Sequence, residues 1–128
     1  MKGVFKLGIL CLITCCSTAT FATIRISLTP GVGVAYVFPV NEAVLITNDF
    51  LWNVKAVCTA MSENESNRLS MRVLKKSGSF NNTKLSTGDS FEVTLHNKDN
   101  FEVTAASGAE IELTNLGDKT MFTHCLVI

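Results

Sequence analysis

Apolar side chains recur at every second position over most of the chain after residue 23, and that period admits few architectures. Successive side chains of a strand point to opposite faces, so alternation marks a strip with one buried and one wetted side. Ile24, Ile26 and Leu28 alternate with Arg25 and Ser27. Trp52, Val54, Ala56 and Cys58 share one phase and Asn53, Lys55 and Thr59 the other, which puts Trp52 on the core side together with Cys58. The same period runs through Leu69, Met71 and Val73, through Phe91, Val93 and Leu95, and through Phe101, Val103 and Ala105. It returns at Ile111 and Leu113 and at Met121, Thr123 and Cys125. Ala43-Val44-Leu45-Ile46 is a continuous apolar run, and Tyr36-Val37-Phe38 is stopped by Pro39, a residue confined to sheet edges and strand ends.

Turn-forming residues punctuate these runs. Pro30-Gly31, Asn48-Asp49, Ser77-Gly78, Asn81-Asn82, Ser86-Thr87-Gly88-Asp89, Ser107-Gly108 and Asn115-Leu116-Gly117-Asp118 all read as turns. Asn97-Lys98-Asp99-Asn100 reads as a hairpin loop joining the Phe91 and Phe101 strands, and Ser62 to Asn67 as an exposed polar loop. Some seven to eight short antiparallel strands with turns about every 8–12 residues predict an all-β domain, an immunoglobulin-like β-sandwich over residues 23–128. A small antiparallel barrel is the alternative. Trp52 precedes the first cysteine of that domain, unlike the order in antibody domains, so the expectation is a sandwich and not a true immunoglobulin domain.

The first 22 residues follow a different rule. Met1 to Lys6 is short and basic, Leu7 to Cys16 is uncharged and mostly apolar, and Ser17 to Thr20 is small and polar. That order reads as a secretory signal peptide, with cleavage after Ala22 at a small-x-small site. The apolar run is shorter than the roughly 20 residues a spanning helix needs. Leu12-Ile13-Thr14-Cys15 shares the apolar positions of a lipobox, so membrane attachment is expected only if Cys15 or Cys16 is lipidated. Loss of Lys2 and Lys6 with the leader leaves nine basic and eleven acidic side chains, a net charge of −2. No charge run exceeds Lys75-Lys76, so the basic footprint of a nucleic-acid binder is missing.

Of the five cysteines, Cys11, Cys15 and Cys16 lie in the leader. Cys58 and Cys125 remain, in a chain expected in an oxidising compartment, and are expected to form a disulfide across the sandwich. Gly88-Asp89-Ser90 is similar to the nucleophile block of GDS-type esterases, but Asp118 and His124 lack the partner spacing, and the tripeptide reads as a turn. His96, His124, Met61, Met71 and Met121, with the two cysteines, could supply soft metal ligands, although no short spacing is diagnostic. Asn64 and Asn81 head glycosylation sequons that read more simply as polar loops. Phe50 and Leu51 are the candidate partner-binding residues, because an aromatic-apolar cluster outside the core can anchor a partner.

The stretches from Leu85 to Ser90 and from Ala106 to Asp118, with the late Cys125, make Phe50 to Cys125 resemble a group of small exported β-proteins of Legionella-type bacteria. That resemblance implies a bacterial envelope location and an accessory part in a type IVB secretion complex, and it implies no catalytic residue. The expected function is thus that of a non-enzymatic exported, periplasmic or secreted protein that binds a protein partner in the cell envelope, with no cofactor. A small-ligand or metal-binding periplasmic module is the alternative.

Overall fold

The computed structural model describes residues 24–128. The signal peptide, its cleavage after Ala22 and lipidation at Cys15 or Cys16 fall outside the described residues. Eleven strands make two sheets: β1 (Ile24–Ser27), β2 (Gly33–Phe38), β3 (Ala43–Thr47), β4 (Val54–Ser62), β5 (Ser66–Lys75), β6 (Ser77–Phe80), β7 (Thr83–Ser86), β8 (Ser90–His96), β9 (Asn100–Ala105), β10 (Glu110–Asn115) and β11 (Met121–Val127). One sheet has the order β1-β3-β10-β5-β8, the other β2-β11-β4-β9-β6-β7. All pairings are antiparallel except β1 with β3. The molecule is a β-sandwich.

Its strand order differs from the immunoglobulin type. That type keeps several sequential hairpins within a sheet, whereas here only β6 and β7 form one. Every other connection crosses to the opposite sheet. The pairs β3–β10, β4–β9, β5–β8 and β6–β7 nest inside one another, which is the double Greek key of a jelly roll. β1, β2 and β11 are additions to that frame. The link from His96 to Asn100 therefore carries the chain between sheets and is not a hairpin, although both flanking strands have the expected phase.

The core is what the alternation requires. Val54, Ala56, Cys58, Leu69, Met71, Val73, Phe101, Val103, Ala105, Ile111, Leu113, Met121 and Cys125 are all buried between the sheets. Phe80 stacks on Phe101 at 5.3 Å and meets Phe91 at 5.9 Å. β6 escapes a reading by period because Ser77-Gly78 looks like a turn. Gly78 lies within the strand, and its hydrogen is needed for another reason: a Cβ there would stand 2.8 Å from the Thr104 carbonyl and 2.6 Å from Ile111 Cδ1.

Cys58 and Cys125 form the expected disulfide, but within a sheet. They are directly opposed on neighbouring strands β4 and β11, with Cα atoms 4.0 Å apart, and both point into the core. The bond does not bridge the two sheets. It fastens β11 to β4 in the six-stranded sheet, one strand in from the β2 edge.

Two segments read as loops hold buried asparagines. Asn115 donates to the Phe38 and Lys119 carbonyls at 2.9 and 2.8 Å and accepts from the Gly117 amide at 2.9 Å. Asn67 donates to the Asn115 side chain and to the Lys119 carbonyl, and accepts from Asn64. Asn67, expected in an exposed loop, is buried in β5. A periodicity argument treats a polar residue as surface, whereas a fully hydrogen-bonded amide can be buried at little cost.

The disulfide closes a separation of 67 residues. A chain-entropy treatment of that loop assigns the crosslink about 4 kcal/mol. The Cys58→Ser/Cys125→Ser double variant is expected to lose stability of that order in urea unfolding, and an unchanged midpoint would remove the structural role given to the bond.

Candidate functional site

The Asn48–Asn53 segment joins β3 to β4, and its construction starts from one buried side chain. Asn48 follows the last residue of β3 and is buried. Its Oδ1 accepts the Phe50 amide at 2.9 Å, closing an Asx turn. Its Nδ2 donates to the carbonyls of Trp52, Ala105 and Ala106 at 2.8, 2.9 and 3.1 Å. The Asn48 backbone is bonded to Gly108 and Ala109, and Ser107 Oγ donates to the Phe50 carbonyl at 2.7 Å. Asp49 accepts from Ser27 Oγ at 3.1 Å. Both ends of the loop are thus tied to β1, β9 and the β9–β10 turn.

What the loop carries does not suit a water-facing turn. Phe50 packs against the core edge, with its ring 5.2 Å from that of Trp52 and tilted by 41°. Leu51 is 90% exposed and Trp52 57% exposed. The alternation argument put Trp52 in the core. The structure overturns this, because β4 begins only at Val54 and the strand phase does not extend back to residue 52. Burying a leucine side chain is worth about 1.5–3 kcal/mol, and this one obtains little of it within the fold. A preorganised loop ending in exposed apolar and aromatic groups has the composition of a binding hot spot.

A second apolar feature lies on the outer face of the six-stranded sheet. Register aligns Met61, Phe122 and Val37 in one row across β4, β11 and β2, at 45%, 49% and 44% exposure. A groove of about 450 Å³ opens beside that row, lined by Thr59, Met61, Ser62, Glu63, Asn97, Lys98 and Phe122. It lies at the far end of β4 from Trp52, roughly 25 Å along the strand by its rise per residue. The outer face of the other sheet is different in kind: Arg25, Arg68, Arg72, Glu92, Glu110 and Glu112 face outward there, with Arg68–Glu92 and Lys75–Glu110 ion pairs. A polar trough of about 380 Å³ is lined in part by Asn53, Ser77, Ser79, Lys84, Ser86 and Thr104.

The other sequence candidates are dispersed. Met71 and Met121 are buried in the core and the two cysteines are bonded to each other. His96 contacts Asp99 at 3.3 Å on the surface, while His124 sits on the outer face of β11. Among the described residues no three His, Cys, Asp or Glu side chains converge as a metal site would require. Gly88 has φ +92° and the Asp89 side chain accepts the Ser86 amide, so Gly88 and Asp89 lie in a turn that leads into β8 at Ser90. Asn64 bonds Asp118, and Asn81 occupies the two-residue turn between β6 and β7 with φ 52°.

No family model, curated protein or solved structure matches the chain. The site rests on its own geometry.

Asn48→Ala would leave the Phe50 amide without its partner and take one donor from the carbonyls of Trp52, Ala105 and Ala106. Unsatisfied buried groups cost about 1–3 kcal/mol each, so stability is expected to fall within that range or beyond it. Trp52, the single tryptophan, reports on the loop. Its fluorescence anisotropy is expected to fall in the variant below its unfolding range, and equal anisotropy would show that Asn48 does not hold the loop.

Proposed function

We propose that this is a non-enzymatic exported protein that binds a protein partner in the cell envelope through the Phe50-Leu51-Trp52 loop. The observation that carries this reading is Leu51, 90% exposed on a loop whose ends are held by seven hydrogen bonds centred on Asn48, Phe50 and Ser107. A side chain presented in this way pays little ordering entropy on binding. Phe50 supports the loop from beneath, and Trp52 supplies a large amphipathic surface beside Leu51. Export is supported by the leader pattern of residues 1–22 and by the disulfide, which suits an oxidising compartment. Among the described residues no helix is long and apolar enough to cross a membrane. An accessory place in an envelope secretion complex is one setting for such a module.

The alternative, a small-ligand module, draws on the polar trough, whose hydroxyl, amide and ammonium groups could hydrogen-bond a neutral, hydroxyl-rich compound. Asn53 joins it to the Trp52 loop, so a titration with simple saccharides would shift Trp52 emission if the trough were the working site.

The partner reading is tested by a photo-crosslinker at position 51 in the exported protein, with position 92 on the opposite sheet as control. A discrete adduct is expected from position 51 alone, lost in Trp52→Ala. Leu51→Ser should abolish binding while changing stability by no more than about 0.5 kcal/mol, as for an ordinary surface site. Equal crosslinking from both positions would overturn the assignment.

A further inference from the structure

Four strand edges are open among the described residues: β1 and β8 in one sheet, β2 and β7 in the other. An open edge offers unpaired N–H and C=O groups to any other strand, and proteins usually blunt it with charge, proline or brevity. Three of the four follow that rule. β1 has four residues and carries Arg25, β7 has four and carries Lys84, and β8 carries Glu92 and His96. β2 does not: its six residues, Gly-Val-Ala-Tyr-Val-Phe, include neither charge nor proline.

The open groups on β2 can be assigned. The Val127 amide donates to the Val32 carbonyl, so residue 32 faces β11. Backbone groups alternate along an antiparallel strand, which turns Val34, Tyr36 and Phe38 toward β11 and Gly33, Ala35 and Val37 toward the free edge. The apolar row Met61–Phe122–Val37 runs across the outer face and ends at that same edge.

We propose that the β2 edge is the seam of a two-fold dimer, in which the β2 strands of two copies pair antiparallel and join their six-stranded sheets. Charge decides the occupant. Pairing β2 with β1, β7 or β8 of another copy would bring Arg25, Lys84 or Glu92 next to an uncharged strand and generate an open chain of molecules. A second β2 brings no charge, and its isologous contact closes at two. With the axis at Ala35, Val37 of one copy faces Gly33 of the other; with the axis at Tyr36, it faces Ala35. Either register keeps outward side chains on one face and sets Val37 against a small residue; with the axis at Ala35 the apolar row runs on to Leu126 of the second copy, whereas with the axis at Tyr36 it meets His124. The dimer does not depend on the partner-binding role of Leu51. Antiparallel pairing would place the two Leu51 loops at opposite ends of the joined sheet.

The test is the mass of the full chain by sedimentation across a concentration series, combined with hydrogen exchange at β2. Expected is a monomer–dimer equilibrium in which the Ala35 and Val37 amides become protected as the dimer forms. Ala35→Pro deletes an outward N–H and leaves the β11 ladder intact. It is expected to lose the dimer at concentrations where the parent forms it, and Ala35→Lys to do the same by placing like charges opposite one another, or diagonally adjacent, across the seam. Should Ala35→Pro fail to fold, Ala35→Lys decides. A monomer at every concentration overturns the proposal. So does a dimer that persists in the folded variants, or protection of Ala35 and Val37 that is independent of concentration, which would mean that a segment of the same chain covers the edge.

Discussion

The pairing of β11 with β4 is the contact on which the rest of the molecule depends. It runs over seven residue pairs, from Met121–Ser62 to Val127–Ala56, and the Cys58–Cys125 bond sits within it. β11 is foreign to the nested jelly-roll pairs, yet it lies between β2 and β4, and β2 has no other neighbour in the sheet. Without β11 the core would lose Met121, Cys125 and Val127, and β2 would have nothing to pair with. The outer row of Met61, Phe122 and Val37 exists only because these three strands lie side by side. A crosslink at this point fixes β11 against β4.

Two buried asparagines do for the ends of the sandwich what the disulfide does for its middle. Asn115 gathers the end of β2, the end of β10 and the following turn through its own amide. Asn48 gathers the end of β9 and the loop that leads into β4. In each case a single side chain satisfies several backbone groups that a turn would otherwise leave unpaired, which makes the turn stiff. The consequence for function differs between the ends. At the Asn115 end the bonded groups are buried among themselves. At the Asn48 end the stiffness is spent on a loop whose outermost side chains, Leu51 and Trp52, stay largely exposed.

The sandwich was legible because most core strands obey a period of two without interruption. Leu69, Met71 and Val73 are buried as their spacing requires, as are Phe101, Val103 and Ala105. β6 and β7 were not legible, because four-residue strands containing Ser, Gly, Thr and Lys carry no periodic signal and are read as turns. Trp52 misled for the opposite reason: it is in phase with β4 but lies outside it. Phe50 and Leu51 could be singled out as candidates, but a sequence cannot say whether an apolar residue beside a strand is covered. Asn48 and Asn115 carried no warning of burial, since their partners are carbonyls distant in the chain, such as Ala105 and Phe38.

By itself the sequence determined the all-β class, which face of each long strand is apolar, and that Cys58 and Cys125 would find one another. Those properties are local: side-chain period is a property of the strand backbone, and Cys58 and Cys125 are the two cysteines of residues 24–128. Only the tertiary structure decided the jelly-roll order, the placement of the disulfide inside one sheet, the exposure of Leu51 and Trp52, and the open edge of β2. Each of these depends on which strands become neighbours. That choice is made by the joint burial of the two inner faces and by hydrogen bonds between residues far apart in the chain, a sum that no single segment contains.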